Sequence, residues 1–345
     1  MSKGNTFWRI TLDTNPDFCN LHCIMCEDHS PYADDTRTRK EQGRLRPIMD
    51  VSLLEKAIRE AAALGFKEII PSTMGEPLLY PYFSTFLSLC RELNLKLNLT
   101  TNGTFPARDK HQNVEYWARK IVPVGSDVKI SWNGATDKTQ KQVMPGTNLK
   151  HHIDNARRFI TIRDELAHDN YCSLTMQLTF MRSNLEEITE MVRLAISLGF
   201  DRIKGHHLWT HFSEIEQESL RNDIRFAYSW NRIVQQSNDI VEKYNQKSDK
   251  KVKLDNFFEL DVNHLEDIAP DGECPFLGKE IWVDPGGRFN VCCAPDQQRK
   301  ALGEFGNLNH QTIAEITDSE EYAHLVNNYR EYALCKSCNM RRPCE

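Results

Sequence analysis

No stretch of 18 apolar residues occurs anywhere in the 345-residue chain, so a membrane-spanning helix is excluded on length alone. The first residues, Met1-Ser-Lys-Gly-Asn-Thr6, lack the apolar centre of a secretory signal. An excess of basic charge is also missing. The formal charge is −6 and the isoelectric point near 6.1, which argues against a general nucleic-acid binder. There are no internal repeats or low-complexity tracts. Cysteine does not come in an even set: there are eleven, most of them in short groups. That pattern belongs to metal ligation in a reducing cytoplasm rather than to a disulfide framework. The expectation is an intracellular, oxygen-sensitive protein with one large domain and an appendix.

What the chain does have is a C-x3-C-x2-C array, Cys19-Asn-Leu-His-Cys23-Ile-Met-Cys26, directly after an alternating apolar run at Trp8–Asp13. Three thiolates in one short loop can ligate three corners of an iron–sulfur cube and leave the fourth iron to another ligand. Zinc is the plainer alternative, with His22 or His29 as a fourth donor.

The loop resembles the signature of the radical SAM superfamily, in which the open iron binds the amino and carboxylate groups of S-adenosylmethionine (SAM). Reductive cleavage of SAM then yields a 5′-deoxyadenosyl radical. The family usually has an aromatic residue before the third cysteine, where it touches the adenine; here Met25 stands there. Gly75-Glu76-Pro77, behind the second expected strand, resembles the family's segment that holds the methionine ammonium. The resemblance also places Asn102 and Ser131 where ribose and methionine carboxylate are held, with Gln177 and Thr179 as weaker cofactor-binding candidates.

Strand signals near 7–13, 67–72, 95–101, 127–132, 172–180 and 201–207 alternate with helical patterns near 50–64, 82–94, 112–120, 149–166 and 185–198. The last is read with Asn184 as N-cap and Gly199 as its stop. Six β/α units in series imply an α/β fold with a parallel sheet and helices outside. The resemblance adds that the sheet curls into a partial (β/α)6 TIM-like barrel. Leu95, Leu97 and Leu99 alternate with Lys96, Asn98 and Thr100, and the strands near 127 and 172 alternate likewise. One polar face on each strand suits an open lumen for a polar ligand; an antiparallel sheet with a solvated face is the alternative. The divisions expected are 1–210 for the barrel, 211–265 for a helical insertion or linker, and 266–345 for a small hairpin-and-helix module. The insertion opens with Ser213-Glu-Ile-Glu, which resembles a capping box. The basic stretch 37–46 is a solvated loop or a docking site for a flavodoxin- or ferredoxin-like electron donor.

In that C-terminal module, Cys274, a Pro-Gly-Gly hairpin ending at Cys292-Cys293, a helix near 311–331, and Cys335-Lys-Ser-Cys338 with Cys344 resemble the SPASM/twitch extension of radical SAM enzymes. The resemblance implies one auxiliary [4Fe–4S] cluster on Cys274, Cys292, Cys335 and Cys338, with Cys293 and Cys344 in reserve; zinc again is the alternative. Cys90 and Cys172 are expected as buried apolar groups.

By this resemblance the chain is an oxidoreductase of dehydrogenase type: hydrogen abstraction, deprotonation, and transfer of the remaining electron to the auxiliary cluster. Because the first cysteine is residue 19, a leader-recognition domain is not expected. The single auxiliary cluster favours a small polar substrate, sugar- or aminocyclitol-like, over peptide or protein side-chain modification and over redox-neutral epimerisation or dehydration. A base is then required, with Lys204 or His206 as candidates and Arg182 as an anchor for a substrate carboxylate. A zinc-stabilised binding protein with two metal knuckles is the non-enzymatic alternative.

Overall fold

A computed structural model describes residues 7–72, 74–107, 112–168, 170–265, 272–294, 296–338 and 340–341. In chain order the elements are β1 (Arg9–Leu12), α1 (Asp34–Glu41), α2 (Val51–Ala63), β2 (Glu68–Ile70), α3 (Phe83–Glu92), β3 (Lys96–Thr101) and α4 (Val114–Ile121). There follow β4 (Gly125–Ser131), α5 (Asp137–Val143), α6 (Leu149–Leu166), β5 (Ser173–Phe180), α7 (Ile188–Leu198), β6 (Arg202–His207) and α8 (Ile224–Lys247). The C-terminal part holds β7 (Lys253–Asp255), β8 (Glu280–Val283), β9 (Phe289–Asn290), α9 (Asp296–Arg299), α10 (Ile313–Thr317), α11 (Glu320–Asn328) and α12 (Ala333–Lys336).

The alternation expected from periodicity is what forms, and the sheet is mostly parallel. The chain divides into two compact units, one of residues 1–16, 46–97 and 267–345, the other of residues 17–45 and 98–266.

In the first unit β1 lies between β2 and β8, parallel to both, and β9 runs antiparallel to β8. Sequence pattern does not reveal the β1–β8 pairing, because it joins segments some 270 residues apart in the chain. Its register is tied by Arg9, which bonds Glu68 at 3.2 Å and Glu280 at 2.5 Å. Helix α2 is capped by Asp50, which accepts from Ser52 N–H. It buries Leu53, Leu54, Ala57, Ile58 and Ala61 along one stripe. Each large aliphatic side chain there contributes about 1.5–3 kcal/mol by leaving water.

In the second unit β4, β5, β6 and β7 pair in parallel in that order. Their two faces differ as the alternation requires. Val128, Ile130, Leu174, Met176, Leu178 and Ile203 are fully buried on one face. On the other, Arg202 joins Asp127 at 3.0 Å, Asp255 at 3.2 Å and Thr175 at 3.0 Å. Lys129 lies 3.4 Å from Asp127. Gly205 is required because a Cβ there would lie 2.0 Å from the Phe180 ring, which crosses β6 to meet Trp230 at 4.3 Å.

Three local expectations need correction. Asn184 does not cap α7: it sits in a 3₁₀ turn, accepting from Met181 N–H and donating to Thr179 and Asn133 carbonyls. Glu187 precedes α7 instead, and Gly199 stops it with φ 95°. Ser213 begins a 3₁₀ turn without a side-chain cap, its hydroxyl turned to Glu214. The basic stretch is partly helical, ending α1, and Arg39 is paired with Asp17 at 3.3 Å.

Candidate active site

The cysteine loop is pinned by backbone bonds to the α5–α6 connection: His22 N–H to the Pro145 carbonyl and Ile24 N–H to the Val143 carbonyl, both 3.1 Å. Leu21 packs with Val143, Met144 and Met181, and Cys19, Cys23, Met25 and Leu208 lie against this apolar patch. Gly146, with φ 99°, keeps room for it, since a Cβ there would come within 2.9 Å of Leu21. All three thiols are half-buried and uncrosslinked. Burial and mutual repulsion from Cys26 and Cys19 push the Cys23 thiol well above its usual range, and burial lifts Cys26 to about 12. Desolvated Cys23 and Cys26 thiols, each penalised further as a thiolate by Cys19, suit a cationic core that would neutralise the loop's sulfurs. N–H donors aim at sulfur as well, Leu21 at 3.5 Å and Asn102 Nδ2 at 3.7 Å from Cys19 Sγ.

The two histidines offered for zinc are placed otherwise. His22 is exposed, and buried His29 has Nδ1 3.3 Å from the Lys40 ammonium. Among the described residues no three histidine, cysteine, aspartate or glutamate side chains converge to hold a single metal ion. Asn102 also bonds Asn20 at 2.8 Å, and Asn20 bonds Thr104 at 3.0 Å. Sequence reasoning missed Asn20. Its only signal is an amide directly following a cysteine ligand.

Across the carboxyl ends of β5 and β6 the structure brings together Gln177, Thr179 and His206. The Gln177 amide lies 3.3 Å from His206 Nδ1 and the Thr179 hydroxyl 3.4 Å from Nε2. Thr179 and His206 are register partners, as are Gln177 and Lys204. His206 is exposed. Desolvation first and the Lys204 ammonium second pull its pKa down to about 4, so it is neutral at pH 7. Ser131, on the same face of β4, is half-buried, and its carbonyl accepts from His152 at 3.0 Å. Arg182, just past β5, places its guanidinium 4.9 Å from the Phe226 ring centroid. Asn133, where the family often has a carboxylate, is buried and accepts from Thr179 N–H at 2.7 Å. It is therefore committed to the turn.

In the other unit Gly75 has φ 76°, a conformation that favours glycine. Glu76 is buried, accepts from Leu78 N–H at 3.2 Å and offers its carbonyl to Asn15 at 2.9 Å. Pro77 opens the 3₁₀ turn that follows. The same unit gathers the second cysteine group. Cys335 is raised to about 12 by burial and by Cys292, Cys274 and Cys338. Cys274 and Cys338 are raised as well, burial leading in both. Cys292 is pulled down to about 7, chiefly by a bond from Cys293, which is raised in turn. The four expected ligands act electrostatically on one another, and Cys293 on Cys292; Cys344 lies outside the described residues. A shared set of mutually destabilising thiols again fits an iron–sulfur group. Cys90 and Cys172 are buried away from both groups.

Comparison with known proteins agrees with this division of labour. Residues 16–195 match the radical SAM superfamily, and residues 274–339 match an iron–sulfur cluster-binding domain of SPASM type. A PqqA peptide cyclase from Methylorubrum extorquens is 24% identical over 327 residues, covering 94% of this chain and 75% of that protein. Among solved structures, Streptococcus suis SuiB bound to its precursor peptide SuiA superposes with a TM-score of 0.65 at 15% identity, over 98% of this chain and 72% of that one. AdoMet-bound anSMEcpe superposes with a TM-score of 0.65 at 14% identity, over 96% and 88%. The sequence expectation of a sugar- or aminocyclitol-like substrate is overturned here. The relatives aligned over nearly the whole chain are named for acting on a peptide, and one auxiliary cluster does not by itself select a small substrate.

Proposed function

The chain belongs to the radical SAM superfamily, with a SPASM-type iron–sulfur domain and SAM and [4Fe–4S] clusters as its cofactors, and on that premise we propose that it modifies a peptide. The observation that carries this reading is the alignment of 94% of the chain with PqqA peptide cyclase. Cys19, Cys23 and Cys26 would hold the SAM-binding cluster, and Cys274, Cys292, Cys335 and Cys338 the auxiliary one. When bound, these groups supply a radical that removes hydrogen from an unactivated carbon and a sink for the electron left behind.

The protein's own residues do the rest. Met25 offers a thioether to the adenine, and Gly75-Glu76-Pro77 offers carbonyls and a carboxylate to the methionine ammonium. Ser131, Gln177 and Thr179 remain polar contacts for the cofactor, and Asn102 orients the cysteine loop. Neutral His206 takes the substrate proton at its unprotonated ring nitrogen, Nδ1 in the tautomer that accepts from the Gln177 amide N–H. Desolvation, helped by the Lys204 ammonium, keeps that ring unprotonated beforehand, and Arg182 anchors a peptide carboxylate. The outcome is a peptide lighter by two hydrogens: one leaves as an atom, one as a proton to His206, with the electron passing to the sink. A flavodoxin- or ferredoxin-like protein would supply reducing electrons, with exposed Arg37 and Arg44 the charges offered for docking. Such thiolate chemistry belongs in a reducing cytoplasm.

The test is anaerobic turnover of the reconstituted enzyme with pools of random 12-residue peptides, read by mass spectrometry. Peptides two hydrogens lighter, with stoichiometric 5′-deoxyadenosine, support the reading. SAM cleavage with every pool unchanged contradicts it.

A further inference from the structure

Leu208, the first residue beyond β6, packs against the apolar patch under the cysteine loop. The chain then runs Trp209-Thr-His-Phe212, with Trp209 exposed and the His211 and Phe212 rings half-buried. Trp209 is 40% exposed and lies near-parallel to His211, with centroids 6.4 Å apart and planes 19° apart. His211 meets Phe212 at 6.1 Å, and Phe212 meets Tyr32 at 6.4 Å. Tyr32 is itself 36% exposed and follows Cys26 by six residues. Asp28, between them in sequence, acts electrostatically on His211. Four rings thus form one run of contacts, open to solvent at Trp209 and Tyr32, that links the residue after Leu208 to the segment following Cys26 and is continuous with the strand that carries His206.

Contiguous exposed aromatic surface costs free energy in isolation and marks a place where something binds. Aromatic rings are the side chains that most often anchor a partner. Continuity with His206 decides what that partner is. Trp209 lies three residues past His206, a span of roughly 10 Å in extended chain, which a bound peptide covers in about three residues.

We propose that Tyr32, Trp209, His211 and Phe212 form an anchor for one bulky apolar side chain of the peptide substrate, aromatic by preference, roughly two to four residues from the modified position. The inference rests on the peptide reading above and adds a specificity element to it.

The test measures fluorescence anisotropy of the full-length holoenzyme with fluorescein-labelled random 12-residue pools, each with one residue type fixed at position six. Pools fixed as Trp, Tyr or Phe should bind at least about tenfold tighter than pools fixed as Ala or Asp, a difference of about 1.4 kcal/mol. Trp209→Ala and Phe212→Ala should abolish the preference. Trp209→Tyr should keep it, and so should Phe258→Ala, which removes a more exposed ring outside the strip. Equal binding of all pools, or a preference that survives Trp209→Ala and Phe212→Ala, overturns the anchor. If the same pools still lose two hydrogens on turnover, the peptide reading stands while the anchor falls. If no pool binds or is modified, both fall.

Discussion

Cys19, Cys23 and Cys26 come from eight consecutive residues, whereas Cys274, Cys292, Cys335 and Cys338 are drawn from separate segments between a hairpin and two short helices. The local group is held by backbone bonds and by one amide reaching a sulfur. The dispersed group depends on side chains such as Tyr329, whose hydroxyl accepts from Cys274 N–H at 3.2 Å, and Tyr322, which accepts from Gly278 N–H at 3.2 Å. Three thiols in one short loop leave a cube incomplete and open to a small molecule. A set of four completes it. On the proposed reading, the chain-local and chain-distant sets take different roles, one reactive and one moving an electron.

The sharpest way to break that comparison is to remove one thiol from each set. Cys23→Ala should lower 5′-deoxyadenosine formation to background and reduce bound iron by about four per chain, with the C-terminal group still loaded. Cys338→Ala should do the reverse: SAM cleavage continues while peptide product disappears. Full product formation by Cys338→Ala would remove the electron-accepting role.

Smaller effects sharpen it further. His206→Ala should slow peptide turnover about 10²–10⁴-fold, the usual worth of a positioned acid–base group, with iron content and SAM binding unchanged. Unchanged turnover would exclude His206 as the base. Asn102→Ala should weaken retention of the N-terminal cluster against a chelator by about 10–100-fold, as loss of a group supporting metal ligands does, while the C-terminal cluster is retained as before.

A further effect is on stability. Buried His152, whose pKa is lowered to about 4 by desolvation, stays neutral in the fold. Below pH 6.5 the unfolded chain takes up a proton that the folded one refuses, so stability falls as pH drops from 6.5 towards 4. The loss reaches about 3 kcal/mol, since each tenfold difference in proton affinity between the two states is worth about 1.4 kcal/mol. Urea melts of wild type and His152→Gln at pH 7.5 and 5 should converge at the lower value. Parallel curves would count against a depressed His152 pKa.

The parts legible in sequence were those set by short-range pattern. The cysteine array, the glycine at 199 and the alternating strands all announce themselves within a few residues. Long-range pairing did not: β8 joins β1 through Arg9 and Glu280, and no local period encodes that. Asn184 escapes the pattern because an amide before a helix also suits a turn, and here tertiary acceptors on Thr179 and Asn133 won. The single helix expected over 311–331 breaks at Asp318, where Ser319 caps a new one. His206, Gln177 and Thr179 were visible as polar residues at strand ends, but their contact depends on the β5–β6 register. The substrate class was not legible at all, since a single auxiliary cluster is silent about what lies beside it.

The open iron of the N-terminal cluster is best tested by electron paramagnetic resonance of the reduced Cys335→Ala, Cys338→Ala protein, in which that cluster stands alone. Adding SAM should move the signal, as direct coordination of one iron requires. A spectrum indifferent to SAM, or a colourless protein loaded with zinc, would contradict it.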